Sequence, residues 1–105
     1  MGLEVRKEGA LAWAALTGEV TIYTVGEIKA ALTRELAGCD TIEIDLAGVN
    51  EMDTAGLQLM LIAKRYPGKT VHFTNHPPVV LRLVDLANLG GALGDPLLFT
   101  AAVES

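Results

Sequence analysis

The alternation of apolar and polar residues divides the chain into short elements. Residues 3–7 (Leu-Glu-Val-Arg-Lys) put apolar and charged side chains on opposite sides, as a half-buried strand requires. Glu8-Gly9 offers a turn. Residues 11–16 (Leu-Ala-Trp-Ala-Ala-Leu) are apolar throughout, which predicts a strand buried on both faces and a hairpin with the first. Thr17-Gly18-Glu19 reads as a second turn, leading to a short strand over residues 20–23. Thr24-Val25-Gly26-Glu27 then has the S/T-x-x-E form of a capping box, in which hydroxyl and carboxylate satisfy backbone donors reciprocally. Val25, Ile28, Leu32 and Leu36 recur at helical spacing, and Gly38 stands where a left-handed C-cap would end a helix over residues 25–37.

Thr41 to Leu46 alternate again and predict a strand, followed by a loop around Gly48. Residues 55–66 predict a second helix that is apolar nearly all round, so it must be covered on two sides. Pro67-Gly68 stops it, residues 70–74 form a strand around Val71 and Phe73, and Pro77 or Pro78 opens a third helix over residues 77–88. An apolar stretch at residues 97–99 docks as a last strand or a tail. Strand and helix alternate, which demands crossover connections. The expected fold is one α/β domain over residues 1–105: a mixed β-sheet with βαβ crossovers, three to four helices packed on it, and an antiparallel edge from the N-terminal hairpin.

Composition narrows the function. With 105 residues and 50% of them hydrophobic, the chain can bury a core without disulfides, and the lone Cys39 cannot form an internal one. A net charge of −5 without a basic cluster leaves no electrostatic footprint for nucleic acid. The strongest apolar stretch, residues 54–63, is broken by Gln58 and ends at Lys64-Arg65, far short of the roughly 20 residues of a membrane span. No membrane insertion is expected. The first residues carry charges where a signal peptide needs an apolar segment, which points to the cytoplasm.

Signs of catalysis are scarce. His72 alternates with Val71 and Phe73 and faces solvent, His76 precedes two prolines, and neither has partners at metal-ligand spacing. Cys39 has no nearby histidine to activate it. Gly90-Gly91-Ala92-Leu93-Gly94 follows a helix and lacks the Lys-Ser/Thr of a phosphate loop, so it reads as a helix stop. Asp53-Thr54-Ala55 matches the catalytic triplet of small homodimeric aspartic proteases, but that chemistry needs an all-β dimer and here the triplet opens an apolar helix. No enzyme activity, cofactor or metal is expected.

Asp53 or Thr54 can serve as an N-cap, and Gly56 permits close packing. Capping does not explain why a threonine hydroxyl stands at an exposed loop-to-helix junction with small residues after it. Leu16-Thr17-Gly18-Glu19-Val20, Ile44-Asp45-Leu46, Met52-Asp53-Thr54-Ala55-Gly56-Leu57 and Pro77-x-Val79 with Leu83 and Leu89-Gly90 together resemble the sulfate transporter and anti-sigma factor antagonist (STAS) domains. The resemblance covers nearly the whole chain. It implies a binding module, with Thr54 at the position that a cognate anti-sigma kinase phosphorylates and with an anti-sigma factor or chemotaxis signalling protein as partner. Glu19, Thr21, Asp53, Thr54, Ala55, Gly56 and Gln58 are the implied partner-binding residues. Thr21 stands where family members often have Asp, and Thr54 where Ser is commoner. Thr at that place also occurs in the STAS subunit of phospholipid-transport ABC complexes, which implies the alternative of an accessory subunit binding its ATPase. Thr21-Ile22-Tyr23-Thr24 and the segment from Asp53 to Leu59 look similar to chemotaxis-associated STAS proteins.

Overall fold

A computed structural model describes residues 2–86. The elements run β1 (Leu3–Glu8), β2 (Leu11–Val20), α1 (Val25–Leu36), β3 (Thr41–Met52), α2 (Thr54–Lys64), β4 (Thr70–Thr74) and α3 (Pro78–Leu86). They build a four-stranded sheet in the order β1-β2-β3-β4. β1 runs antiparallel to β2, while β2, β3 and β4 are mutually parallel. The α/β fold with an antiparallel edge hairpin is as the sequence predicts, and Gly9 makes the hairpin turn at φ 63°.

The order β2, β3, β4 advances in one direction across the sheet. Right-handed crossovers therefore place α1 and α2 on the same face. The alternating residues Ala12, Ala14, Leu16, Ile42, Ile44, Leu46, Val71 and Phe73 are buried in one core with Ile28, Leu32 and Leu36 of α1 and Leu57, Leu59 and Met60 of α2. α2 also touches α3, and it has neighbours on both flanks as its apolar circumference demands. Burial of Ile44, at 2% exposure between Ala14 and Phe73, contributes about 1.5–3 kcal/mol of transfer free energy.

Five expectations about the strands and the C-cap of α1 need correction. β2 is not buried on both faces: Ala12, Ala14 and Leu16 are buried, while Trp13 and Ala15 are half-buried on the side opposite the helices. Thr17-Gly18-Glu19 is not a turn. The strand continues to Val20 through two register irregularities, and Gly18 adopts φ 83°, so the glycine marks a bulge. The expected strand at residues 20–23 is consequently the end of β2 followed by a turn over residues 21–24. β3 likewise runs past Gly48 to Met52; the glycine is there because a Cβ would lie 2.6 Å from Thr17 Cγ2 on the neighbouring strand. Last, Gly38 is not a left-handed cap. Helix α1 ends at Leu36 with Ala37 in right-handed geometry, and Gly38 lies where a Cβ would meet Lys7 Nζ at 2.5 Å. The segments at residues 90–94 and 97–99 lie outside the described residues, as does the end of the helix expected to reach residue 88.

Candidate functional site

The site forms where two parallel strands end side by side. Val20 pairs with Met52, so the turn leaving β2 and the residue leaving β3 emerge next to each other. Asp53 N–H donates to the Val20 carbonyl at 3.4 Å, and Asp53 itself stays extended (φ −114°, ψ −173°) as the N-cap of α2. Its carboxylate is shared. Oδ1 accepts from the Ala55 and Gly56 N–H groups at 2.9 and 3.2 Å, while Oδ2 accepts from the Ile22 N–H at 2.9 Å. The Ile22 bond foremost, with those of Gly56 and Ala55, holds the Asp53 carboxyl below the usual carboxylate range, against the opposing effect of desolvation.

Every backbone N–H of the turn donates a hydrogen bond. Thr21 N–H donates to Thr24 Oγ1 at 2.9 Å, Tyr23 N–H to Thr21 Oγ1 at 3.3 Å, and the Thr24 and Val25 N–H groups to the Thr21 carbonyl, both at 2.9 Å. Thr24 Oγ1 in turn donates to the Glu19 carbonyl at 2.9 Å. This explains why the expected capping box is absent: the Thr24 hydroxyl is engaged by the turn behind it and makes no cap bond to α1.

The residues expected to bind a partner divide accordingly. Thr54, at the first position of α2, is exposed, and so are Gln58 one turn further on and Glu19. Asp53 and Ala55 are half-buried. Thr21 is only 4% exposed, and its hydroxyl organises the turn. Gly56 is also buried: a Cβ there would lie 2.4 Å from the Val20 carbonyl oxygen and 2.7 Å from Met52 Cγ, so it allows α2 to start tight against β2. Neither Thr21 nor Gly56 offers a side chain to a partner; they shape the surface that Thr54, Gln58 and Glu19 present.

The sequence reading missed Ile22 and Tyr23. They are 64% and 92% exposed on the outer side of the turn. Assigned to a strand, one of the two had to face inward; a Thr-x-x-Thr segment closing a turn was the signal available. Cys39 is a core residue, 4% exposed, and His72 faces outward as expected. Among the described residues no three His, Cys, Asp or Glu side chains are grouped to hold a metal, and no helix is long and apolar enough to cross a membrane.

A family model described as Mlab, STAS domain, matches residues 3–98. The chain belongs to the STAS domain family. Among solved structures, this STAS domain is similar to an anti-sigma factor antagonist from Mycobacterium paratuberculosis, at 19% identity and TM-score 0.75, covering 97% of this chain and 91% of that one. It is also similar to the phosphorylated form of SpoIIAA, a Bacillus cell fate determinant (18% identity, TM-score 0.66, 98% of both chains). The unphosphorylated form of the anti-sigma factor antagonist SpoIIAA matches at 19% identity and TM-score 0.64, over 85% of this chain and 84% of that one. At these identities the likeness is one of fold. No curated protein sequence matches the chain.

Proposed function

We propose that this STAS domain is a non-enzymatic regulatory module of the cytoplasm that docks a signalling protein through the surface around Thr54 and is released when Thr54 is phosphorylated. The observation that carries the reading is the placement of Thr54: an exposed hydroxyl at the first residue of α2, directly after a capping carboxylate, where a kinase can reach it without unfolding the domain. A phosphate adds about −1.5 to −2 charges at pH 7. It would stand beside Asp53, with Glu51 exposed nearby in sequence. Burying that dianion against a face formed for a neutral hydroxyl leaves it desolvated and unpaired.

The partner class that fits is an anti-sigma factor with kinase activity, since both SpoIIAA forms share this fold and one of them is phosphorylated, or a chemotaxis signalling protein, to which the resemblance of residues 21–24 and 53–59 points. A second reading keeps the surface and drops the phosphate: an accessory subunit that binds the ATPase of a phospholipid-transport complex. It is favoured by threonine in place of serine, and by Asp53 already occupying the Ala55 and Gly56 donors that a phosphate would use. Phosphopeptide mapping of the protein purified from its own host separates the two. The switch reading expects a phosphorylated fraction at Thr54 that changes with growth state; the subunit reading expects none, together with co-purification of a transporter ATPase.

A further inference from the structure

We infer that Ile22 and Tyr23 form the anchor by which this domain grips its partner, and that the partner presents an apolar face flanked by lysine and arginine. The inference rests on the regulatory reading above and specifies the surface it uses. Ile22 and Tyr23 are adjacent, large and apolar, and 64% and 92% exposed. Isolated apolar residues on a surface need no explanation, but these two project from a turn in which every N–H from Thr21 to Val25 is bonded. The backbone under them is already ordered. Docking therefore costs little further conformational entropy, which is what lets a rigid aromatic act as a hot spot.

Charge specifies the rim. Residues 19–27 and 51–58 contain Glu19, Glu27, Glu51 and Asp53 and neither lysine nor arginine. Glu19 and Glu51 are even aligned on neighbouring strands, an arrangement that costs stability when nothing positive lies between. Five of the eight basic residues lie toward the other end of the sheet: Lys7 pairs with Glu35 at 3.1 Å, Arg34 and Lys64 occupy the last turns of α1 and α2, Arg65 follows, and Lys69 precedes β4, while Arg6 belongs to β1 and Lys29 and Arg82 to the bodies of α1 and α3. A partner steered by this field meets the Ile22–Tyr23 end with its own positive surface.

The anchor is wired to Thr54. One oxygen of Asp53 caps α2 next to Thr54 and the other holds the Ile22 N–H. A phosphate on Thr54 competes for the same helix donors and repels the same carboxylate, so it loosens the tether of the anchor, and the partner's cations, already engaged by Glu19, Glu27 and Glu51, do not compensate the added charge.

The full chain, labelled with nitrogen-15, can be titrated with a synthetic amphipathic helix of leucine and lysine and with its leucine and glutamate counterpart. Shift changes centred on residues 19–27 and 51–58, a roughly tenfold weaker Kd in Tyr23→Ser and in Ile22→Ser, and no binding of the glutamate peptide are expected. Tyr23→Ser leaves every charge in place, so its effect reports the anchor. Ile62→Ser, which removes a 48% exposed apolar side chain elsewhere, should leave Kd unchanged. Shift changes centred elsewhere, or a Tyr23→Ser variant of native melting temperature that binds like the wild type, would overturn the inference. If Thr54→Glu weakens the peptide while Tyr23→Ser does not, the anchor fails and the switch stands. If Tyr23→Ser weakens it and Thr54→Glu does not, the anchor stands and the switch fails.

Discussion

Helices α1 and α2 begin side by side at the same end of the sheet, yet the chain enters them differently. α2 is capped by Asp53 through two bonds and starts hard against β2 because Gly56 has no side chain. α1 follows Thr24, whose hydroxyl turns back to Glu19 and Thr21, and its first-turn glycine, Gly26, faces open space. One start is fixed by packing and a carboxylate. The other is fixed at a distance, because the turn leading into it is tied by Ile22 to the Asp53 that caps α2. The difference makes Asp53 the joint between Thr54, the proposed phosphoacceptor, and the exposed apolar turn.

Substitutions at matched places test that asymmetry, and the largest effect should come from Gly56→Ala. Its Cβ meets the Val20 carbonyl, a backbone atom that cannot swing aside, and a loss of about 1–3 kcal/mol in denaturant unfolding is expected. Asp53→Ala should come next, lowering the melting temperature by several degrees and speeding hydrogen exchange at the Ile22 amide along with those of Ala55 and Gly56. Unchanged exchange at Ile22 would cut the proposed joint. Acid should act through the same group. The folded carboxyl titrates below its unfolded value of about 3.9, so its contribution is whole above that pH and is lost as pH falls through the lower folded value. Asp53→Asn should flatten that segment of the stability curve measured between pH 5 and 2. Gly26→Ala should have the opposite sign to Gly56→Ala and raise stability by about 0.4–1 kcal/mol, since a helical glycine in open space only adds freedom to the unfolded chain. Glu27→Gln should be the smallest: Thr24 makes no cap bond, so no reciprocal pair is lost, and a shift beyond roughly 0.5 kcal/mol would restore the capping box that the sequence pattern implies.

The contrast also shows what was legible in the sequence. Periodicity identified the three helices of the described residues and their βαβ order, because burial on one face of each element dictates it. Asp53 as cap and Gly56 as a close contact were readable from residue type and position. Glycine misled elsewhere, since Gly18 in a bulge and Gly48 opposite Thr17 have the same local signature as turns. Thr24 misled for a different reason: its motif is local, but the acceptors and donors that claimed its hydroxyl belong to a turn whose shape depends on Asp53, 29 residues later. Ile22 and Tyr23 could not be placed outside until that turn was known.

The central claim concerns Thr54 as the point at which binding is controlled, and a calorimetric titration tests it most directly. The unmodified domain and the domain phosphorylated at Thr54 would each be titrated into the signalling protein recovered with it from its host, at matched salt. The account predicts a phosphorylated domain that melts within a few degrees of the unmodified one and binds at least roughly tenfold more weakly, a difference of about 1.4 kcal/mol. Equal affinity of the two forms would contradict it.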